Sequence, residues 1–163
     1  MAELWAPWRA VYIKSKPEKK CIFCSRLRQN DDRKNLILHR GRHSFIILNK
    51  YPYNSGHLMI APNAHKARLE SLTKAEQAEM FELMILANKL LFAAMPADGL
   101  NIGINLGEVA GSSIKEHLHI HVVPRFLGDT NFMPVIGKTK VQSFALQEIY
   151  DSLKKHLVKI LKK

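Results

Sequence analysis

Apolar residues in the first part of the chain fall into short clusters at Leu36–Leu38, Phe45–Leu48 and Leu58–Ile60, bounded by Gly41, by Pro52-Tyr53-Asn54-Ser55-Gly56 and by Pro62. That punctuation predicts three short antiparallel strands. From Thr73 the period changes. Thr73-Lys74-Ala75-Glu76 makes a capping box, and Phe81, Met84, Ile85, Leu91, Phe92 and Met95 recur at helical spacing, so a long helix is predicted up to Pro96 and Gly99. Two alternating segments follow. In Leu100–Gly107, Leu100, Ile102, Ile104 and Leu106 share a face expected to be core, while Asn101, Gly103, Asn105 and Gly107 face the other way. In His117–Val123, Leu118, Ile120 and Val122 share one face and three histidines the opposite one. The two polar faces can line a common site. Between Ser143 and Lys163, Leu146, Ile149, Leu153, Leu157 and Ile160 keep helical spacing with lysines between, which predicts an amphipathic C-terminal helix. Polar, Pro-broken residues 14–20 predict an N-terminal arm, residues 1–20, carrying Trp5 and Trp8. A core over 21–125 and a C-terminal extension and helix over 126–163 complete one expected domain, 1–163. Its class is α+β, an antiparallel sheet with one long central helix and a C-terminal helix.

Length and composition add limits. A chain of 163 residues with 47% hydrophobic content can bury a core without disulfides. No segment approaches the ~20 apolar residues a membrane span needs. The opening Met1-Ala2-Glu3-Leu4-Trp5 carries an acid and no apolar stretch of a signal peptide, so the cytoplasm is the expected compartment. Lys plus Arg exceeds Asp plus Glu by 11, which favours anionic partners. A basic nucleic-acid-binding module is one reading of that charge. Lys154, Lys155, Lys159, Lys162 and Lys163 lie on the predicted C-terminal helix, where such residues form a solvated face, and this makes nucleic acid the weaker partner.

The histidine run is the strongest chemical signal. His117-Leu118-His119-Ile120-His121 spaces imidazoles about 7 Å apart along a strand face, available as metal ligands, general bases or nucleophiles. Cys21-Ile22-Phe23-Cys24 contains both cysteines, a spacing that points to metal or redox use, although Cys24 beside Phe23 also fits a buried thiol. Gly137-Lys138-Thr139 fails as a P-loop because Phe132 stands where glycine is needed, and no Gly-x-Gly, Gly-x-Ser-x-Gly or His-Glu-x-x-His occurs.

His117 to Val123 resembles the signature of the histidine triad (HIT) superfamily, and the likeness extends through Asn49, Gly56-His57, Pro62-Asn63-Ala64-His65 and Asn105-Leu106-Gly107. Trp5-Ala6-Pro7-Trp8-Arg9 and Gly128-Asp129-Thr130-Asn131-Phe132-Met133-Pro134-Val135 are most similar to the small bacterial diadenosine-tetraphosphate phosphorylase and dinucleoside-polyphosphate hydrolase branch. The resemblance implies that His119 attacks an α-phosphorus to form a nucleotidyl-histidine, with His117 and His121 in supporting roles. It implies nucleotide or phosphate contacts from Asn49, His57, Asn105, Ser112, Ser113 and Lys115, and Arg125 is a further candidate donor. Asn49 corresponds to a ribose-binding position and also suits an ordinary strand-end turn. Cys21, Cys24, His65 and His117 correspond to structural zinc ligands. Two subunits joining their sheets into a homodimer are implied as well. Ala110-Gly111-Ser112-Ser113 departs from the common pattern, in which glutamine follows Ala-Gly. His121 replaces the glutamine that closes the run in related uridylyltransferases, so sugar-nucleotide transfer loses ground. Hydrolysis of purine-nucleoside phosphoramidates is the alternative reaction within the superfamily, and a zinc-stabilised interaction protein the alternative without catalysis.

Overall fold

The computed structural model describes residues 20–112, 114–129 and 144–162. Ser113, the arm with Trp5 and Trp8, the stretch from Thr130 to Ser143 and Lys163 lie outside the described residues. The elements are α1 (Ile22–Leu27), α2 (Asp32–Asn35), β1 (Ile37–Arg40), β2 (Ser44–Leu48), β3 (Leu58–Pro62), α3 (Lys74–Ala94), β4 (Gly99–Ile104), β5 (Ile120–Arg125) and α4 (Leu146–Leu161). The five strands form one antiparallel sheet in the order β1-β2-β3-β5-β4. The α+β class, the long central helix and the C-terminal helix agree with the sequence.

Helix α3 begins as its sequence requires. The Thr73 hydroxyl accepts the Glu76 N–H, and the Glu76 carboxylate accepts the Thr73 N–H. It packs on β2, β3 and β5. Its buried apolar residues are Met80, Leu83, Ala87, Leu90 and Leu91, whereas Phe81, Ile85 and Phe92 are exposed. The residues that mark the helix by their spacing thus divide between its buried and exposed sides, because α3 carries apolar residues on more than one side.

Strand β4 brings a correction. It ends at Ile104, short of Gly107, and its apolar face is open, with Ile102 47% and Ile104 36% exposed. Alternation identified the face correctly, since Ile102 and Ile104 pair with buried Val122 and Ile120. What alternation could not supply is a covering layer: β4 is the sheet's edge, and α3 packs over β2, β3 and β5 instead.

At the other edge, Ile149, Leu153 and Leu157 of α4 are buried. Tyr150 donates its hydroxyl to the Ile37 carbonyl at 2.9 Å, and Lys154 donates to the Leu38 carbonyl at 2.7 Å. One lysine of the supposedly solvated face thus holds α4 to β1. Helices α1 and α2 were not foreseen, since both are under two turns long and carry no periodic signal.

Candidate active site and metal cluster

The histidine run does not form one strand. β5 begins at Ile120, and His117, Leu118 and His119 precede it in irregular backbone. His117 and His119 take different hydrogen-bond partners. On the opposite sheet face from α3, α1 lays the buried Phe23 ring against Phe45 of β2 and within 5.1 Å, centroid to centroid, of both the His117 and His119 rings. His119 and His121 meet edge to face at 4.8 Å.

His117 joins Cys21, Cys24 and His65. Its Nδ1 lies 3.3 Å from Cys21 Sγ and 3.6 Å from Cys24 Sγ, and His65 Nδ1 lies 3.4 Å from Cys24 Sγ. All four ligand atoms lie within 4.8 Å of one another. A tetrahedral ion with metal–sulfur and metal–nitrogen bonds of ~2.3 and ~2.05 Å would separate sulfur from nitrogen by ~3.6 Å. The donor set and its spacing therefore fit a metal ion. His117 Nε2 donates to the Pro62 carbonyl at 2.9 Å, which leaves Nδ1 as the ligand atom. Burial holds the His117 imidazole down to about 4, and burial and then the Cys21 thiol push Cys24 up, so a cation would supply the charge that these ligands lack.

His119 makes a different use of its two nitrogens. Its Nδ1 lies 2.9 Å from the His117 carbonyl oxygen, which can only accept, so the ring proton sits on Nδ1 and Nε2 carries a lone pair. Nε2 has no hydrogen-bond partner among the described residues. Burial lowers the His119 pKa, which keeps the ring neutral and its lone pair available.

His121 receives the opposite tautomer from behind. The Tyr53 N–H donates to His57 Nδ1 at 3.1 Å, and Asn49 Nδ2 reaches the same atom at 3.3 Å. His57 therefore carries its proton on Nε2 and donates it to His121 Nδ1 at 2.9 Å. The His121 proton then sits on Nε2, as a donor. One imidazole offers a nucleophilic lone pair and its neighbour an N–H. Tyr53 also stacks on the His57 ring at 4.9 Å. Gly56 supports this loop with φ +81°, and a Cβ there would collide with the Met95 sulfur.

Other sequence candidates fall differently. His57 is fully buried, so it can act on a nucleotide only through His121. Arg125 is committed elsewhere: Nε and Nη2 donate to Asp129 at 2.7 and 3.0 Å, and Nη1 to Asn101 at 2.8 Å. This candidate phosphate donor forms a clasp with Asp129, which also accepts from Asn54 at 3.0 Å. Lys115 is exposed and lies 3.4 Å from Glu108. Ser112 is buried, and its N–H donates to the Gly107 carbonyl at 3.2 Å. Asn105 follows the end of β4, half-buried. The Asn49 Oδ1 accepts the Tyr51 N–H at 2.9 Å, a turn role that leaves one lone pair for a ligand. The sequence reading gave no role to Tyr53, which acts through its backbone, or to Asp129, which the resemblance quoted only as part of a flanking stretch.

A family model, the HIT domain, matches residues 30–128. An AP-4-A phosphorylase of Mycobacterium tuberculosis is 39% identical over 149 residues, covering 86% of this chain and 76% of the relative. A bis(5'-adenosyl)-triphosphatase of Saccharomyces cerevisiae is 29% identical over 91 residues, 55% of this chain and 44% of that protein. Among solved structures, a zinc-bound histidine triad family protein from Mycobacterium smegmatis superposes with a TM-score of 0.68 at 23% identity, covering 88% of this chain and 96% of that one. No helix among the described residues is long and apolar enough to cross a membrane.

Proposed function

The chain belongs to the HIT-domain family, and from that premise we propose that it is an enzyme cleaving dinucleoside polyphosphates such as diadenosine tetraphosphate at an α-phosphorus. The supporting observation is the pair of opposite tautomers at His119 and His121. His119 Nε2 attacks the α-phosphorus, a P–N bond forms, and the P–O bond to the departing nucleotide breaks with its electron pair on oxygen. The positive charge left on the imidazole is met at Nδ1–H by the His117 carbonyl. His121 donates Nε2–H to the phosphoryl oxygens as their charge rises. An oxygen of inorganic phosphate or of water then attacks the same phosphorus and returns the electron pair to His119 Nε2. With diadenosine tetraphosphate, phosphate yields ADP and ATP, while water yields AMP and ATP.

Zinc suits the two-thiolate, two-imidazole cluster, and four protein ligands leave it no open position for chemistry. Its contribution is to tie α1 and the segment after β3 to the start of the histidine run. We read the exposed apolar face of edge strand β4 as the surface on which a second copy joins its sheet, giving a homodimer that works in the cytoplasm. The deciding assay incubates the protein with diadenosine tetraphosphate, with and without inorganic phosphate, and separates the products by chromatography. ADP that appears only with phosphate identifies a phosphorylase, AMP in both arms a hydrolase, and intact substrate in both refutes the reading.

A further inference from the structure

We propose that Lys66 and Glu76 form a positioning pair for the nucleophile, setting the backbone from which His119 projects. This rests on the reading of His119 as the attacking group. Because β5 starts only at Ile120, the backbone carrying His119 lacks the ladder that would hold it in a strand. Two hydrogen bonds, one to the last residue of β3 and one to the segment after it, take over that task. His117 Nε2 donates to the Pro62 carbonyl at 2.9 Å, and the Leu118 N–H donates to the Lys66 carbonyl at 2.6 Å. Leu118 lies between the metal-cluster histidine and the nucleophile, so the Lys66 carbonyl sets the height and tilt of both.

The segment that supplies this carbonyl is irregular as well, and it is pinned at two ends. Asn63 is fastened by its N–H to the His43 carbonyl at 2.7 Å and by Nδ2 to the Arg42 carbonyl at 3.1 Å. At the other end Lys66 Nζ donates to Glu76 Oε2 at 2.6 Å. The same oxygen accepts the Thr73 N–H at 2.6 Å and the Thr73 hydroxyl at 2.9 Å. Glu76 is 6% exposed. A capping box works with glutamine as well as glutamate, so the helix start needs the acceptor and not the charge. Among the described residues, Lys66 is the one cation that pairs with this charge. A buried carboxylate with one cation holds that cation firmly, because separation would strand the charge. The N-terminus of α3 is thereby linked through Glu76, Lys66 and Leu118 to His119, although neither member of the pair touches the histidines.

Two single variants and their double, in the metal-loaded protein, test the link. Glu76→Gln keeps the capping acceptor and removes the charge; Lys66→Met keeps the apolar stem. Amide hydrogen exchange at Leu118, with Ile60 in β3 as the reference, should accelerate about tenfold in each single variant, and the double should be no faster than either, since all three remove one link. With diadenosine tetraphosphate, kcat should fall about tenfold or more while KM stays within about twofold, the mark of a misplaced reacting group. Lys66→Arg should restore most of kcat. Exchange at Leu118 that is unchanged, or that accelerates equally at Ile60, overturns the proposal, as does a double variant whose loss is the product of the singles. Because the exchange readout needs no substrate, a protein inactive on the dinucleotide would refute the enzymatic reading and still leave the positioning link to be judged.

Discussion

His117 and His119 stand two residues apart and share a carbonyl group, yet their surroundings make them different reagents. His117 is sealed from solvent with both ring nitrogens engaged, Nδ1 among two thiols and Nε2 on the Pro62 carbonyl. His119 has Nδ1 engaged and Nε2 without a partner among the described residues. On the proposed reading, His117 suits a ligand and His119 a nucleophile because only His119 keeps a nitrogen uncommitted among the described residues. The difference lies in the partners each ring meets, since both rings pack 5.1 Å from Phe23 and only His117 reaches the thiols. His121 is a third case, its proton placed by a neighbour on the back of its ring.

Replacing His119 should break the contrast most severely. His119→Ala or His119→Gln is expected to reduce kcat by on the order of 10⁴-fold or more, with nucleotide affinity retained, as steady-state kinetics beside equilibrium binding would reveal. His121→Ala should cost on the order of 10²–10³ in kcat, because it removes one donor to developing charge. A smaller loss is expected for His57→Ala, which leaves the His121 ring in place and frees its proton to sit on either nitrogen. Equal losses at His57 and His119 would contradict the division of roles.

The metal side predicts a loss of stability first. Purified protein should carry about one zinc per chain by elemental analysis, and Cys21→Ser or Cys24→Ser should lower the thermal midpoint, because ligation contributes folding free energy. In metal-free protein the His117 pKa is depressed from the usual ~6.5 to about 4, so the unfolded chain takes up the proton first. The stabilising contribution is full above pH ~6.5 and is lost as pH falls toward about 4. The depressed His119 acts in the same direction. A midpoint measured in chelator that rises as the pH is lowered through this window would count against the buried, neutral assignment. The smallest effects belong to the outer candidates. Asn49→Ala should weaken nucleotide binding whatever the salt, whereas the Lys115→Ala defect should shrink as ionic strength rises.

Much of this is legible in the sequence. The period change at Thr73 located α3 to within one residue of its start, because a capping box is local chemistry. Cys21, Cys24, His65 and His117 were assembled by resemblance, and the structure brings those four residues together. Three features were hidden. Alternation reports which residues share a face and is silent on whether a layer covers it, so Ile102 and Ile104 read as core. Periodicity likewise missed the irregular backbone of His117 to His119, which a run of His-x-His disguises as strand. The tautomer chain from Tyr53 through His57 depends on a backbone N–H, a group that every non-proline residue carries, so no side-chain pattern marks it.

Trapping the covalent intermediate tests the division between the histidines most directly. Protein denatured in alkali during turnover, which spares an imidazole–phosphorus bond that acid would cleave, should yield an adenylyl adduct on mass spectrometry of the peptide spanning His117 to His121. Fragmentation should place it on His119. An adduct on His117 or His121 instead, or full turnover by His119→Ala, would contradict the account.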